Sequence, residues 1–87
     1  MLQSKIFPAE VTSGVPRVVL VGRESVLVEQ HRGLVSCETE RISLLTECGL
    51  LTITGNGLSL RRYSEDEAFV GGKIEGVVLQ AVEGRLS

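Results

Sequence analysis

From Arg17 to about residue 80, apolar and polar residues alternate along the chain in short runs. A period of two is typical of β-strands with one buried face, because successive side chains point to opposite sides of a sheet. The pattern predicts an all-β domain, an antiparallel meander of about six to eight short strands that forms a small sandwich or roll. A β-solenoid, in which periodic strands stack in parallel turns, is the alternative.

The division of the chain follows from where this pattern begins and ends. Both prolines, Pro8 and Pro16, fall before it and favour extended backbone there. We therefore expect a short extended N-terminal arm over residues 1–16, a single β domain over residues 17–80 and a C-terminal tail over residues 81–87. The 87 residues are enough for one modest core.

Turn positions between the runs predict how the strands pair. In the first run, a two-residue turn at Arg23 and Glu24 places four valines on one face. The next strand is expected to end at Cys37, and the one after it to open at Arg41. A tight turn follows at Glu47 and Cys48 or one residue pair later. The pairs expected in these hairpins are Val21/Val26, Val19/Val28, Val35/Ile42, Leu44/Leu51 and Ile42/Ile53.

The stretch LLTITGNGLSLRRY, residues 50–63, alternates, breaks at a glycine pair around Asn56 and alternates again. It predicts a β-hairpin whose two-residue turn is either Asn56-Gly57 or Gly55-Asn56. The two turns differ by an even shift in pairing, so both keep the same apolar residues on one buried face. Those residues are Leu51, Ile53, Leu58 and Leu60.

In the last run, AFVGGKIEGVVLQ, small residues recur on the same face as the apolar ones. Small residues on a strand face imply close backbone approach or a bend, here at Gly71 and Gly72. We expect this strand to curve over the sheet. The residues that share its inward parity are Ala68, Val70, Gly72, Ile74, Gly76 and Val78.

Charge and hydropathy exclude several classes of function. The formal net charge is -2, whereas a nucleic-acid-binding surface is dense in Lys and Arg. The longest apolar run, residues 18–21, is far shorter than a membrane span or the apolar segment of a signal peptide. We therefore expect a soluble protein with no direct membrane insertion and no nucleic-acid partner.

Few residues suit catalysis or metal binding. His31 is the only histidine, and Cys37 and Cys48 are the only cysteines. A thiol–imidazole dyad also needs an orienting group and an oxyanion pocket, for which the sequence gives no sign, and the spacing does not suit zinc. We expect His31 to shape a corner between strands and both cysteines to be small buried hydrophobes. The sequence predicts no catalytic, cofactor-binding or metal-binding residue.

Arg61 and Arg62, followed by Tyr63, form the one local basic cluster with an aromatic neighbour. Such a cluster suits an acidic lipid headgroup or an acidic partner. Adjacent residues of a strand point to opposite faces, so the pattern predicts that the two guanidinium groups do not form one patch. The favoured interpretation is a solvated strand end.

Four segments occur in an order typical of one known family: PR before the first strand, EQHRGL at a corner, GLLTITGNGL, and GKIEGV near the end. On these segments, which lie within residues 7–79, the chain resembles the YabP/YqfC sporulation proteins of endospore-forming bacteria, and the YqfC branch in particular. The family's usual N-H-R-G corner is Q-H-R-G here, with Gln30 in place of asparagine.

The resemblance implies a sporulation protein made in the mother cell and associated with a membrane protein encoded next door, YqfD in the YqfC case. It implies a cytoplasmic location, peripheral to the forespore outer membrane through that partner. It also implies no known catalytic activity, and the family offers no catalytic residues to carry over.

Open sheet edges and outward apolar residues predict assembly without the resemblance, because unblunted edges pair with other chains. We expect a homo-oligomer or docking by strand addition. Contact is predicted at the Leu45/Leu50 face or a sheet edge, with the EQHRGL corner as a second candidate. The alternative function is a small-ligand or oligonucleotide-binding β-barrel. Oligonucleotide binding needs aromatic side chains on which bases stack, and Tyr63 and Phe69 supply few of them. The residues predicted to contact a partner are His31, Arg32, Gly33, Leu45 and Leu50.

Overall fold

The computed structural model describes residues 14–82, which form six β-strands and no helix, and hence no helix able to cross a membrane. The all-β class is confirmed. Most of the predicted arm (residues 1–16) and tail (residues 81–87) lies outside the described residues. The strands are β1 Arg17–Val21, β2 Ser25–Glu29, β3 His31–Cys37, β4 Arg41–Thr46, β5 Gly49–Tyr63 and β6 Glu67–Gln80.

The six strands form a single sheet in the order β1-β2-β6-β5-β4-β3. Every pairing in it is antiparallel, which rules out the parallel solenoid for residues 14–82. Strands β3 to β6 form a meander of consecutive hairpins. The β1–β2 hairpin adds to its end through the pairing of β2 with β6.

A one-residue connection shows that this sheet is folded over. Gln30 alone joins β2 to β3, yet these strands hold the second and sixth positions in the sheet. In a flat sheet they would be about 19 Å apart, four strand spacings. One linking residue spans at most about 7 Å between the flanking Cα atoms. The sheet must therefore curve into the roll that the sequence predicts.

The bends lie in the middle of the two long strands. A register shift inserts an extra residue into β5 near Gly57 and another into β6 at Glu75. Backbone N–H groups freed there donate to turn carbonyls, Leu58 to Thr39 at 2.8 Å and Ile74 to Arg23 at 2.8 Å. The bends divide the sheet into a first half-sheet (β1, β2, residues 59–63 and 67–71) and a second (β3, β4, residues 49–54 and 76–80).

The core lies between the two half-sheets. Val26 and Val28 of β2 share one buried cluster with Ile42 and Leu44 of β4, although β2 and β4 do not pair. Burial of these apolar side chains between the two half-sheets is the main favourable contribution to the free energy of folding. The cluster consists of Val26, Val28, Ile42, Leu44, Leu51, Ile53, Leu58, Ala68, Val70 and Ile74.

The hairpin predicted within residues 50–63 is wrong, because β5 runs through it as one strand. Ile53 pairs with Val77 of β6, and the chain reverses instead at residues 64–66. Gly57, at φ 63, forms a β-bulge. The one inserted residue switches the side chains that face the core from odd-numbered to even-numbered positions, as a two-residue turn also does. The predicted shared face is confirmed, since these residues are in the core or pack against it: Leu51, Ile53, Leu58 and Leu60.

The predicted register of the first hairpin is also wrong. Its loop has three residues, 22–24, so Val21 pairs with Ser25. The extra loop residue turns β1 over, and the face shared with Val26 and Val28 is not all valine. It carries Val18 and Leu20 of β1.

Inserted residues overturn two further expectations. Val35 lies at a register shift in β3, so Cys37 and not Val35 is opposite Ile42. The extra residue in β6 turns Val78 outward, where it is 57% exposed, and brings Val77 against the core. The tight turn at residues 47–48 is confirmed, with its pairs Leu44/Leu51 and Ile42/Ile53.

Gln30 forms the corner between the half-sheets in a left-handed conformation. Its φ of 68 makes it the only non-glycine residue with positive φ among residues 14–82, and its N–H donates to Asp66 O at 2.6 Å. Asparagine tolerates this region better than glutamine. We expect Gln30→Asn to raise the free energy of unfolding by about 0.5 kcal/mol and Gln30→Val to lower it by about 1 kcal/mol, measured by urea denaturation. Equal stability of the two variants would contradict the strained corner.

Candidate docking surfaces

His31 is built into the corner as a structural residue. Its side chain is 4% exposed, and the Gly33 N–H donates to its Nδ1 at 3.0 Å. Because an N–H only donates, Nδ1 is the acceptor, and the ring proton on Nε2 is donated to Ser64 O at 2.9 Å. The ring also stacks on Tyr63, with centroids 4.9 Å apart. These contacts tie the start of β3 to the turn between β5 and β6.

This arrangement leaves no ring nitrogen for a thiol. Cys37 is at the opposite end of β3 from His31, about 20 Å along the strand, and Cys48 lies in the β4–β5 turn. Both cysteines are exposed, so the expectation that they are buried is wrong. The reason is position: one ends an edge strand, and the other is in a tight turn. Within residues 14–82, no three His, Cys, Asp or Glu residues are grouped to hold a metal.

Leu45 and Leu50 lie side by side on the outer face of the second half-sheet. They are cross-strand partners, Leu45 on β4 and Leu50 on β5, and Leu45 is 42% exposed. Gly33 pairs with Leu45 on its other side and adds no side chain to cover it. Val78 of β6 is on the same outer face, next to the row that holds Leu50.

A depression of about 440 Å³ adjoins these leucines. Leu45 forms part of its wall, residues 46–49 and 81–82 form much of the rest, and Arg32 lies at its rim, 3.6 Å from Glu47. The structure therefore brings the predicted corner and the predicted face together into one surface, with His31 buried beside it. We call this surface the Leu45 patch, and its members are Arg32, Gly33, Leu45, Leu50 and Val78.

The two edge strands differ in how open they are. β1 pairs with β2 through five consecutive residues with no register shift, and Leu20 and Val21 are 53% and 56% exposed. β3 carries two register shifts against β4. Bulges blunt an edge, whereas a regular apolar strand is a template for another chain. Among residues 14–82, β1 has only β2 as a strand partner and is therefore the edge suited to strand addition.

The aromatic side chains of the described residues, Tyr63 and Phe69, each contact another side chain of the domain. Tyr63 stacks on His31, and the Arg62 guanidinium lies over the Phe69 ring, 5.4 Å from its centroid. These contacts occupy one face of each ring.

Arg61 and Arg62 lie on one face, contrary to the sequence prediction. Leu60 pairs with Val70 and Arg62 with Phe69, so Arg61 is an inserted residue at a bulge. A Cβ added to Gly71 would overlap the Arg61 guanidinium, which places that group on the outer face. Phe69, under Arg62, is on the same face because it is two residues from Gly71. We call these two side chains the Arg61/Arg62 pair.

Comparison with known proteins identifies the family of the domain that carries these surfaces. The YabP family model matches residues 13–85, which include all six strands. The chain belongs to the YabP family. It is also similar to YqfC of Bacillus subtilis (strain 168), an uncharacterized protein, at 29% identity over 70 residues that cover 80% of this chain and 75% of YqfC. The predicted resemblance is thereby confirmed, and neither the family nor YqfC is described as an enzyme.

In this YabP-family chain, the candidate surfaces are all part of the matched domain. Residues 13–85 contain the Leu45 patch, the β1 edge, the His31 corner and the Arg61/Arg62 pair. The N-terminal part of the arm lies before the match. The surfaces therefore belong to the family domain itself and not to an appendage.

Proposed function

We propose that this YabP-family chain is a noncatalytic sporulation protein, a structural or adaptor module that self-associates or docks to a membrane-protein partner of the YqfD kind. It works in the mother-cell cytoplasm and is associated with the forespore outer membrane through that partner. Membership of the YabP family supports the link to sporulation. The surfaces of the second half-sheet support docking.

The Leu45 patch is the observation that carries this proposal. The outer face of an antiparallel sheet is normally polar, and contiguous exposed apolar side chains mark interaction sites. Here Leu45 and Leu50 are adjacent across two strands, and Val78 extends them onto a third. A depression next to Leu45 gives a partner's side chain somewhere to insert. The regular β1 edge offers a second means of self-association.

Charge substitution in the Leu45 patch tests the proposal. We expect Leu45→Glu with Leu50→Glu to abolish association and to leave the far-UV circular dichroism of a β protein, because both side chains face away from the core. The measurement is size-exclusion chromatography with light scattering, on the chain alone and with the soluble part of the YqfD-like protein. We expect at least about a tenfold loss of affinity, the equivalent of about 1.4 kcal/mol.

Val21→Glu is the matched variant on the other half-sheet. It places one carboxylate at an exposed apolar position of the β1 edge. Dissociation by this variant alone would assign the contact to the edge. Association that survives all of these changes, or its absence in the unmodified chain under both conditions, would contradict the proposed function.

A further inference from the structure

We propose that the Arg61/Arg62 pair binds a phosphate group, presented by a phospholipid headgroup or by a soluble phosphomonoester. The site lies on the outer face of the first half-sheet, away from the Leu45 patch. It includes the hydroxyl of Ser59, whose Oγ is 3.5 Å from Arg61 Nε. This inference is independent of the proposed function, because it uses different residues and a different ligand.

Both guanidinium groups are held in position before any ligand arrives. The Arg62 group lies over the Phe69 ring, and the Arg61 group fills the space that a side chain at residue 71 would take. Phe69 and Gly71 are alternate residues of β6, so the positions that the two guanidinium groups occupy are about 6.6 Å apart on one face. Side chains that are already ordered lose less entropy when they bind. The bulge at Arg61 thus creates a preorganised pair of donors.

The charge of the pair is not neutralised by an ion pair within residues 14–82. The ion pairs there join Arg17 with Glu29 and Arg32 with Glu47. Glu67 is the acidic residue that lines the shallow depression beside the pair, which Arg62 and Phe69 also line. Glu29, across from Glu67 on the same face, is already paired with Arg17. Two guanidinium groups against one carboxylate leave a net positive site.

The spacing favours phosphate over carboxylate. A carboxylate has two oxygens, and a single guanidinium satisfies both in the usual bidentate geometry. Two separate guanidinium groups suit an anion with more oxygens, and a phosphomonoester also carries about -1.5 to -2 charge near neutral pH. Leu27 lies beside Phe69 on the same face, and an apolar neighbour of this kind also suits a headgroup at a lipid surface. The net charge of -2 excludes a dense polyanion footprint, but one phosphate needs only this local pair.

Two probes test the site in the full chain. The first is inorganic phosphate, titrated at constant ionic strength against chloride and followed by amide chemical shifts in NMR. The second is flotation with phosphatidylcholine vesicles that contain or lack phosphatidate. We expect saturable shifts at Ser59, Arg61, Arg62 and Gly71, or flotation that requires phosphatidate.

Two charge-neutral variants separate a formed site from simple charge attraction. Gly71→Ala displaces the Arg61 guanidinium without a backbone penalty, because Gly71 does not have positive φ. Phe69→Leu removes the ring under Arg62. We expect each to weaken binding by about tenfold, whereas Gly76→Ala, on the same strand in the other half-sheet, leaves it unchanged. Phe69→Leu still tests the site if Gly71→Ala proves unstable.

The outcomes also distinguish the source of the phosphate. Flotation that depends on the pair identifies a lipid headgroup, and phosphate binding without flotation identifies a soluble ligand. Binding that persists in Arg61→Gln with Arg62→Gln overturns the proposal. Binding that is weakened equally by Arg62→Gln and by Arg41→Gln, a loss of one charge on the second half-sheet, overturns it as well. Failure to bind either probe overturns it too and has no bearing on association through the Leu45 patch.

Discussion

Replacing Gly72 with alanine is expected to lower the free energy of unfolding by about 3 kcal/mol, the sum of backbone strain and steric overlap. Gly72 has a φ of +134, a conformation that residues with a Cβ rarely adopt. Its added Cβ would also lie 2.6 Å from Gly57 O and 2.9 Å from the Leu58 Cα. Both neighbours are backbone atoms at the bend of β5, so relief requires the two bends to separate. Urea denaturation followed by circular dichroism measures the loss.

Two other glycines serve as controls that divide this effect. Gly33 has a φ of +143 but nothing within 4 Å of an added Cβ, so Gly33→Ala reports backbone strain alone, about 1 kcal/mol. Gly76 does not have positive φ, and its added Cβ would be 3.2 Å from Thr54 Oγ1, so Gly76→Ala reports mild crowding alone. If Gly72→Ala cost no more than either control, the close packing of the two bends would be wrong.

Replacing His31 with alanine is also expected to lower the free energy of unfolding by about 3 kcal/mol. The variant breaks the partly buried hydrogen bonds to the Gly33 N–H and the Ser64 carbonyl, each worth about 0.5–1.5 kcal/mol, and removes a buried side chain from the corner. It also removes the stacking on Tyr63. Chemical denaturation at neutral pH gives the value.

Arg32→Ala is the matched control at the next residue. Arg32 is exposed, and its contact with Glu47 at 3.6 Å is a surface ion pair, so we expect a change of less than about 1 kcal/mol. A His31→Ala variant as stable as Arg32→Ala would show that the imidazole does not hold the corner. His31 would then again be a candidate for direct contact with a partner protein.

The composition of the core was predictable from the pattern, but the path of the chain through it was not. Leu51, Ile53, Leu58 and Leu60 share a face whether the chain turns at Asn56 or bulges there, because both devices reverse parity. A bulge permits one long strand, and a turn makes two short ones. Residues 64–66 form the actual reversal between β5 and β6.

The candidate surfaces were predictable to a similar degree. Outward parity identified Leu45 and Leu50, and the EQHRGL corner identified Arg32 and Gly33. That these residues adjoin depends on the pairing of β3 with β4, which the expected Val35/Ile42 register misplaced. Whether they contact a partner remains a prediction.

The Arg61/Arg62 pair shows where sequence reasoning fails. Strict alternation separates two adjacent arginines, and only a bulge brings them to one face. The signal that indicates it is the glycine at residue 71, which leaves room for a guanidinium on the neighbouring strand. That signal has meaning only once the pairing of β5 with β6 is known.

The sequence by itself determined the strand content, the residues of the core face and the scarcity of catalytic groups. These depend on the local period of two and on composition, neither of which changes with the path of the chain. The tertiary structure alone decided which parity reversals are turns and which are bulges, and hence which surface residues lie together. The reason is that a bulge is stable only where a nearby segment, here a turn, accepts its freed hydrogen bonds, and burial of the whole core decides which segment lies there.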